Sequence, residues 1–335
     1  FSTPHLRVVA VEFSHDGNLL AAGCAGSLDG MPHPLQGECW IWEVNGDAEP
    51  TVIRPLGKWV NAVAFSPDDE RLFMGFGFWR EETFAEAGRT PKQVPWPGAI
   101  GAWDIVKEEV VAEGTDCGSV VSLALAPDAK TLASMGARGK AQVGLRLWDP
   151  ETLEQKDLVA LPGVVDPPDR YGQLRLVAFS HDGSYLAAGV SSGRGKPGEV
   201  IVWQLPEMER VWSQEVDPGP VRLVRFLPES HLLTATAGSE AFVWDLEERR
   251  QVLSTPKLPG YLYRLPSDRG YLSVLPIRTR SKKQLLLRPV DGDWSGGYWA
   301  SYRSRPLSVA VDFPRRRIAV GDDEGNVHVL GFSVD

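Results

Sequence analysis

Residues 14–17 and 180–183 both read Ser-His-Asp-Gly, and so carry the residue types of a nucleophile, its base and an orienting carboxylate. Acyl-transfer chemistry of that kind needs the three groups to converge, with the base within hydrogen-bond reach of the nucleophile. Here they are consecutive and recur at matching places, so the two segments are expected to be duplicated hairpin turns, not catalytic triads. His5, His33, His231 and His328 are scattered, with no HExxH pair. Cys24, Cys39 and Cys117 lack zinc-ligand spacing. The acidic run 322–326 lacks the length and ligand pattern of a calcium loop and is expected to be a tight turn. The Gly-rich run 190–199 follows no strand-to-helix pattern that would cradle a phosphate. No catalytic residue, metal or cofactor is therefore expected.

These residues sit within a recurrence. Apolar runs of period two lie at 8–13, 61–65, 120–125, 175–179, 221–226, 261–265 and 307–313, and each is followed by a turn segment such as SHDGN, SPDDER or APDAKT. Alternation predicts strands, and the Gly, Asp, Asn and Pro in these turns supply the backbone angles that reversal needs. A second apolar run and then a third complete each unit. Dividing 335 residues among seven units gives a period of roughly 48, and several strands per unit at such a period is the mark of a propeller.

The third runs carry a further sign. They read CWIW (39–42), GAWD (101–104), LRLWD (145–149), VIVWQ (200–204) and AFVWD (241–245), with QLLLR (284–288) and VHVLG (327–331) as versions without Trp. On Trp103-Asp104, Trp148-Asp149 and Trp244-Asp245, with Trp42-Glu43 and Trp203-Gln204 as weaker copies, the chain resembles the WD-repeat family over essentially its whole length. It departs from the family in having no Gly-His pair before any first strand, which leaves the family's His-Asp-Ser/Thr-Trp network without its histidine. The irregular repeats resemble bacterial members more than the regular eukaryotic ones. The resemblance implies an all-β, single seven-bladed propeller of four-stranded antiparallel blades at 7–56, 59–113, 119–160, 174–215, 220–254, 261–301 and 306–335. Residues 1–4 are expected to join the last blade and close the ring.

Composition is ordinary for a globular chain, with 43% hydrophobic and 24% charged residues and a net charge of −9. No run approaches the roughly 18 uninterrupted apolar residues that span a bilayer. An odd number of cysteines leaves at least one unpaired, which favours a reducing cytoplasm. Cys24 and Cys39 bracket a long loop, and either a disulfide or two buried thiols fits them. The start at Phe1, without Met or a signal-peptide pattern, suggests a longer chain upstream.

Function is expected where the units are unequal, because loops on a rigid scaffold carry recognition. The extra residues fall between second and third strands, on the face conventionally called the top. The largest insertion, 75–98, holds Phe76, Phe78, Trp79, Phe84 and Trp96 beside Arg80. Aromatic side chains with Arg are what binding hot spots use, although such rings can equally fold back on the channel. The segments 23–38, 161–173 with Arg170 and Tyr171, and 190–199 with Arg194 open on the same face. Residues 261–317 carry twelve Lys or Arg against four Asp, and Arg278, Arg280 and Arg303 belong to top loops while Arg315, Arg316 and Arg317 occupy a bottom turn. This split and the overall acidity argue against a nucleic-acid track. The resemblance implies a non-catalytic platform for a protein or peptide partner, a subunit of an assembly. Two alternatives stand: a carboxyl-terminal sensor of a larger bacterial signalling protein, docked on its own upstream domain, and a propeller enzyme or small-molecule binder using the central channel.

Overall fold

The computed structural model describes residues 1–3, 6–27, 37–54, 58–77, 100–114, 119–138, 142–161, 176–191, 197–217, 219, 221–227, 230–237, 240–255, 261–264, 271–278, 283–289, 298–301, 304 and 306–332. All regular elements among them are strands. The first sheet comprises β1 (Leu6–Phe13), β2 (Leu19–Ser27), β3 (Cys39–Glu43) and β4 (Thr51–Ile53), and the second β5 (Trp59–Phe65), β6 (Arg71–Gly77), β7 (Ile100–Asp104) and β8 (Glu109–Gly114). The third is built from β9 (Ser119–Leu125), β10 (Leu132–Arg138), β11 (Gln142–Trp148) and β12 (Gln155–Ala160). The fourth has β13 (Val177–Phe179), β14 (Tyr185–Ser191), β15 (Gly198–Gln204) and β16 (Glu209–Val216). The fifth has β17 (Val221–Phe226), β18 (Leu232–Ala237), β19 (Glu240–Asp245) and β20 (Arg250–Thr255). The sixth has β21 (Tyr261–Arg264), β22 (Tyr271–Arg278), β23 (Lys283–Pro289) and β24 (Tyr298–Ser301). Each is an antiparallel meander in chain order, the pattern of a propeller blade.

The expectation of seven four-stranded blades is corrected to six. The last strands, β25 (Pro306–Asp312), β26 (Arg317–Asp322) and β27 (Val327–Gly331), form a sheet of three. Residues at the amino end add no strand to it, only an isolated antiparallel bridge from Ser2 to Asn326. Around that bridge the Val327 amide donates to the Phe1 carbonyl at 2.9 Å and the Thr3 amide to the Gly325 carbonyl at 2.6 Å. Only Ser2 meets the ladder, so among the described residues the contact stays a single bridge and not a strand.

Burial falls from the inside of each blade outward. First and second strands such as β1 and β6 are buried almost throughout, while the outer strands β8 and β12 are mostly exposed. The third-strand tryptophans Trp42, Trp148, Trp203 and Trp244 are buried among the sheets. Neighbouring blades are also joined by polar contacts between innermost strands. Asn61 Nδ2 donates to the Val120 carbonyl at 3.1 Å, the Leu176 amide to Ser122 Oγ at 2.9 Å, and Ser308 Oγ to the Val8 carbonyl at 3.1 Å. The last of these links β25 to β1, which pack against one another, so the first and last sheets meet.

Second-strand glycines set how closely the sheets approach. A Cβ on Gly75 would stand 2.5 Å from Val120 Cγ1, and one on Gly321 would stand 2.3 Å from Val8 Cγ1. Gly23 and Gly189 meet Val60 and Val221 in the same way. Each such glycine admits the first-strand valine of the next sheet, where any side chain would overlap it.

Candidate interaction surfaces

The meanders give the ring two faces. Turns from first to second strand and from third to fourth open on one, here called the lower face. The upper face takes second-to-third connections and the passages to the next blade. Among the described residues, most of the lower turns repeat one geometry. Gly17, Asp69, Ala129, Gly183 and Arg316 all have φ between 53° and 72° in the first-to-second turns, and Glu108, Leu153, Met208 and Arg249 have φ of 50–55° in the third-to-fourth turns.

The Ser-His-Asp-Gly segments lie in these lower turns and are wired as turns. Ser14 Oγ donates to Asp16 Oδ1 and Ser180 Oγ to Asp182 Oδ1, both at 2.6 Å, and each serine oxygen accepts the amide of the residue that opens the second strand. His15 faces away from Ser14, its Nδ1 lying 3.0 Å from Asp69 Oδ1 of the next blade. In both segments the serine proton goes directly to a carboxylate, and in the first the His15 imidazole is held at Asp69, so no base is poised over Ser14. Burial works against ionising Asp182, but the hydroxyls of Ser180 and Ser184 donate to it and hold its pKa at about 2. At Asp16 the donated Ser14 proton is the largest influence, and again the pKa is lowered.

On the upper face, the 322–326 turn is organised by Asp322, whose side chain is 0% exposed. It accepts the Ser304 hydroxyl, the amides of Glu324 at 2.9 Å and Asn326 at 2.8 Å, and Asn326 Nδ2 at 3.1 Å, with His328 Nε2 3.1 Å away. Desolvation opposes its charge, but these donors prevail and lower its pKa. A carboxylate this fully engaged organises a turn and has little capacity left for a ligand. Sequence spacing did not show this centre, because Ser304 precedes β25 while His328 lies in β27; the acidic turn was the only signal.

Of the residues singled out in the sequence, Phe76 belongs to β6 and not to a loop. It is 3% exposed, packed among Val60, Val63 and Met74, with the Lys58 ammonium 5.1 Å from its ring centre. It is therefore core, and its position as a surface contact is corrected. The strand simply runs further than the Gly-Phe-Gly composition suggested. Phe78, Trp79, Arg80, Trp96, Arg170, Tyr171, Arg194, Arg280 and Arg303 lie outside the described residues, as does Cys117. Arg278 closes β22, and its side chain is likewise outside them.

Cys24 and Cys39 are both buried and both free thiols, which settles the alternative left open by their spacing. Burial pushes the Cys24 thiol up to about 12 and the Cys39 thiol well above its ordinary value. Neither is a nucleophile at neutral pH. Among the described residues no group of three or more His, Cys, Asp or Glu side chains is placed to hold a metal ion, and no helix is long and apolar enough to cross a membrane.

Comparison with known proteins agrees with this architecture. No family model matches the chain. A stretch of 83 residues is 31% identical to the small ribosomal subunit protein RACK1 of Caenorhabditis elegans, covering 24% of this chain and 23% of that protein. A stretch of 79 residues is 35% identical to RACK1 of Medicago sativa, covering 23% and 22%. The chain thus spans less than a quarter of the length of the curated relatives it matches. Among solved structures, a chain of the mitotic checkpoint complex superposes with a TM-score of 0.70 at 13% identity, covering 98% of this chain and 89% of that one. The partial sequence matches and the full-length fold similarity agree on a WD-repeat β-propeller.

Proposed function

We propose that residues 1–335 act as one non-catalytic WD-repeat scaffold in the cytoplasm, holding a protein or peptide partner on the upper-face loops as part of an assembly. The observation that carries this reading is the asymmetry between the faces. The described first-to-second turns repeat one geometry, whereas the second-to-third connections range from residues 238–239 between β18 and β19 to residues 78–99 between β6 and β7. A rigid ring with unequal loops on one side is how recognition is mounted on a repeat framework. The named relatives support it: RACK1 is a small ribosomal subunit protein, and the structural neighbour belongs to the mitotic checkpoint complex. Two free buried thiols support a reducing compartment. Within the site, Trp79, Trp96, Phe78 and Arg80 would form the anchor, with Arg170, Tyr171, Arg194, Arg278, Arg280 and Arg303 around it.

The test is an affinity capture from native lysate comparing the wild-type chain with Trp79→Ala/Trp96→Ala. The expected outcome is a protein lost only in the variant, with the thermal midpoint within a few degrees of wild type. A collapse of stability would instead make both rings part of the core.

A further inference from the structure

We infer that the cleft between the fourth and fifth blades on the lower face is a second docking site, for an extended basic segment of a partner protein that seats one short aliphatic side chain. The cleft is a cavity of about 70 Å³ walled by Tyr185, Val202, Val211, Trp212 and Leu246, with Gln204 and Arg249 at its mouth. On this measure a single water needs only about 10–15 Å³, so the space exceeds one water and can take the branched end of a Val or Leu side chain.

The walls are held before anything binds. Trp212 leans on Trp244 at 5.3 Å between ring centroids, and Trp244 stacks on Phe242 at 5.5 Å and 8°. Tyr185 meets His231 edge-on at 6.0 Å and 89°, and His231 Nε2 lies 3.3 Å from Glu247 Oε1. Tyr185 opens β14 and Gln204 closes β15, while Arg249 sits in the β19–β20 turn, so all three lie at the lower end of their blades. A pre-formed pocket spares the ordering cost that weakens binding to mobile loops.

Charge near the mouth selects the occupant. Asp182, Glu207, Glu209 and Glu247 are exposed in or beside the turns that carry the lining residues, and Asp182 is ionised at any neutral pH. Of the cations nearby, Arg210 is engaged by Glu199 and Arg250 by Glu248. Arg249 and Gln204 at the mouth are suited to the backbone carbonyls of an extended chain. Lys or Arg residues flanking the seated side chain would face the carboxylates, a complementarity that steers association and fixes orientation. This site is separate from the upper-face reading and does not depend on it.

Three fluorescein-labelled peptides test the proposal by anisotropy: Lys-Arg-Leu-Arg-Lys, the same peptide with Ser for Leu, and Glu-Asp-Leu-Asp-Glu, all blocked at both ends. The first is expected to bind at least about tenfold tighter than either control. Glu207→Lys/Glu247→Lys, two exposed changes, should weaken it by a similar factor with the near-UV circular dichroism unchanged. Val211→Phe, which fills the cleft, should do the same. Trp79→Ala/Trp96→Ala should leave it intact. Absence of binding to the first peptide at millimolar concentration overturns the proposal. So does equal binding of the Leu and Ser peptides, tighter binding of the acidic peptide, or loss of binding in the Trp79/Trp96 variant alone.

Discussion

Trp148 is 1% exposed and donates its indole N–H to Ser134 Oγ at 2.8 Å, so one residue supplies both packing and a satisfied polar contact. Trp148→Ala should cost about 3–5 kcal/mol, the usual range for a large buried aromatic. Ser134→Ala, which leaves the ring in place and strands its N–H, should cost about 1–3 kcal/mol. Denaturant midpoints at unchanged slope would check both. That Trp148 terminates a third strand was legible from its recurrence with Trp42, Trp103, Trp203 and Trp244. The fate of Phe76 was not. A Phe between glycines reads as loop, and only the pairing of Val60 with Phe76 across β5 and β6 shows the strand continuing through it.

At the scale of single elements, the lower turns and the 322–326 turn tie stability to pH. Asp16, Asp68, Asp182 and Asp322 all have pKa values below the ordinary 3.8. A carboxylate whose folded pKa is depressed releases its proton more readily when folded, so its contribution is complete above the unfolded value and fades as pH falls toward the folded one. Stability should therefore be flat in this respect above about pH 5 and fall as pH drops from there toward about 2, the lower limit set by Asp182. Asp182→Asn should flatten part of that acid limb, which urea titrations at a series of pH values would read. The turns were recognisable from Ser, Asp and Gly alone, since their chemistry is local. The Ser304–Asp322–His328 cluster was not, because Ser304 reaches the β26–β27 hairpin from the other side of β25.

Over the whole molecule, integrity depends on the seams between sheets. At the seam of first and last, Gly321 faces Val8, Ser308 Oγ bonds the Val8 carbonyl, and Arg317 Nη2 reaches the Gly17 carbonyl at 2.6 Å while holding Asp312. Gly321→Ala should destabilise by about 1–3 kcal/mol through overpacking. Arg317→Ala should speed amide exchange in β1 and β25 while β10, β11, β14 and β15 keep wild-type protection. Hydrogen exchange measured by mass spectrometry distinguishes this local opening from global loss.

The sequence by itself determined the strand repeat, the lower-turn chemistry, the tryptophan at the end of the third strand and the resemblance to WD-repeat propellers, because period-two alternation and turn angles are set by neighbours along the chain. Only the tertiary structure decided that six blades are complete and the last sheet has three strands, that Phe76 is core, that Cys24 and Cys39 stay free, and that Tyr185 and Trp212 frame a cleft. Each of these depends on which strand edge or face from a distant part of the chain comes to lie alongside, and spacing in sequence does not encode that meeting directly.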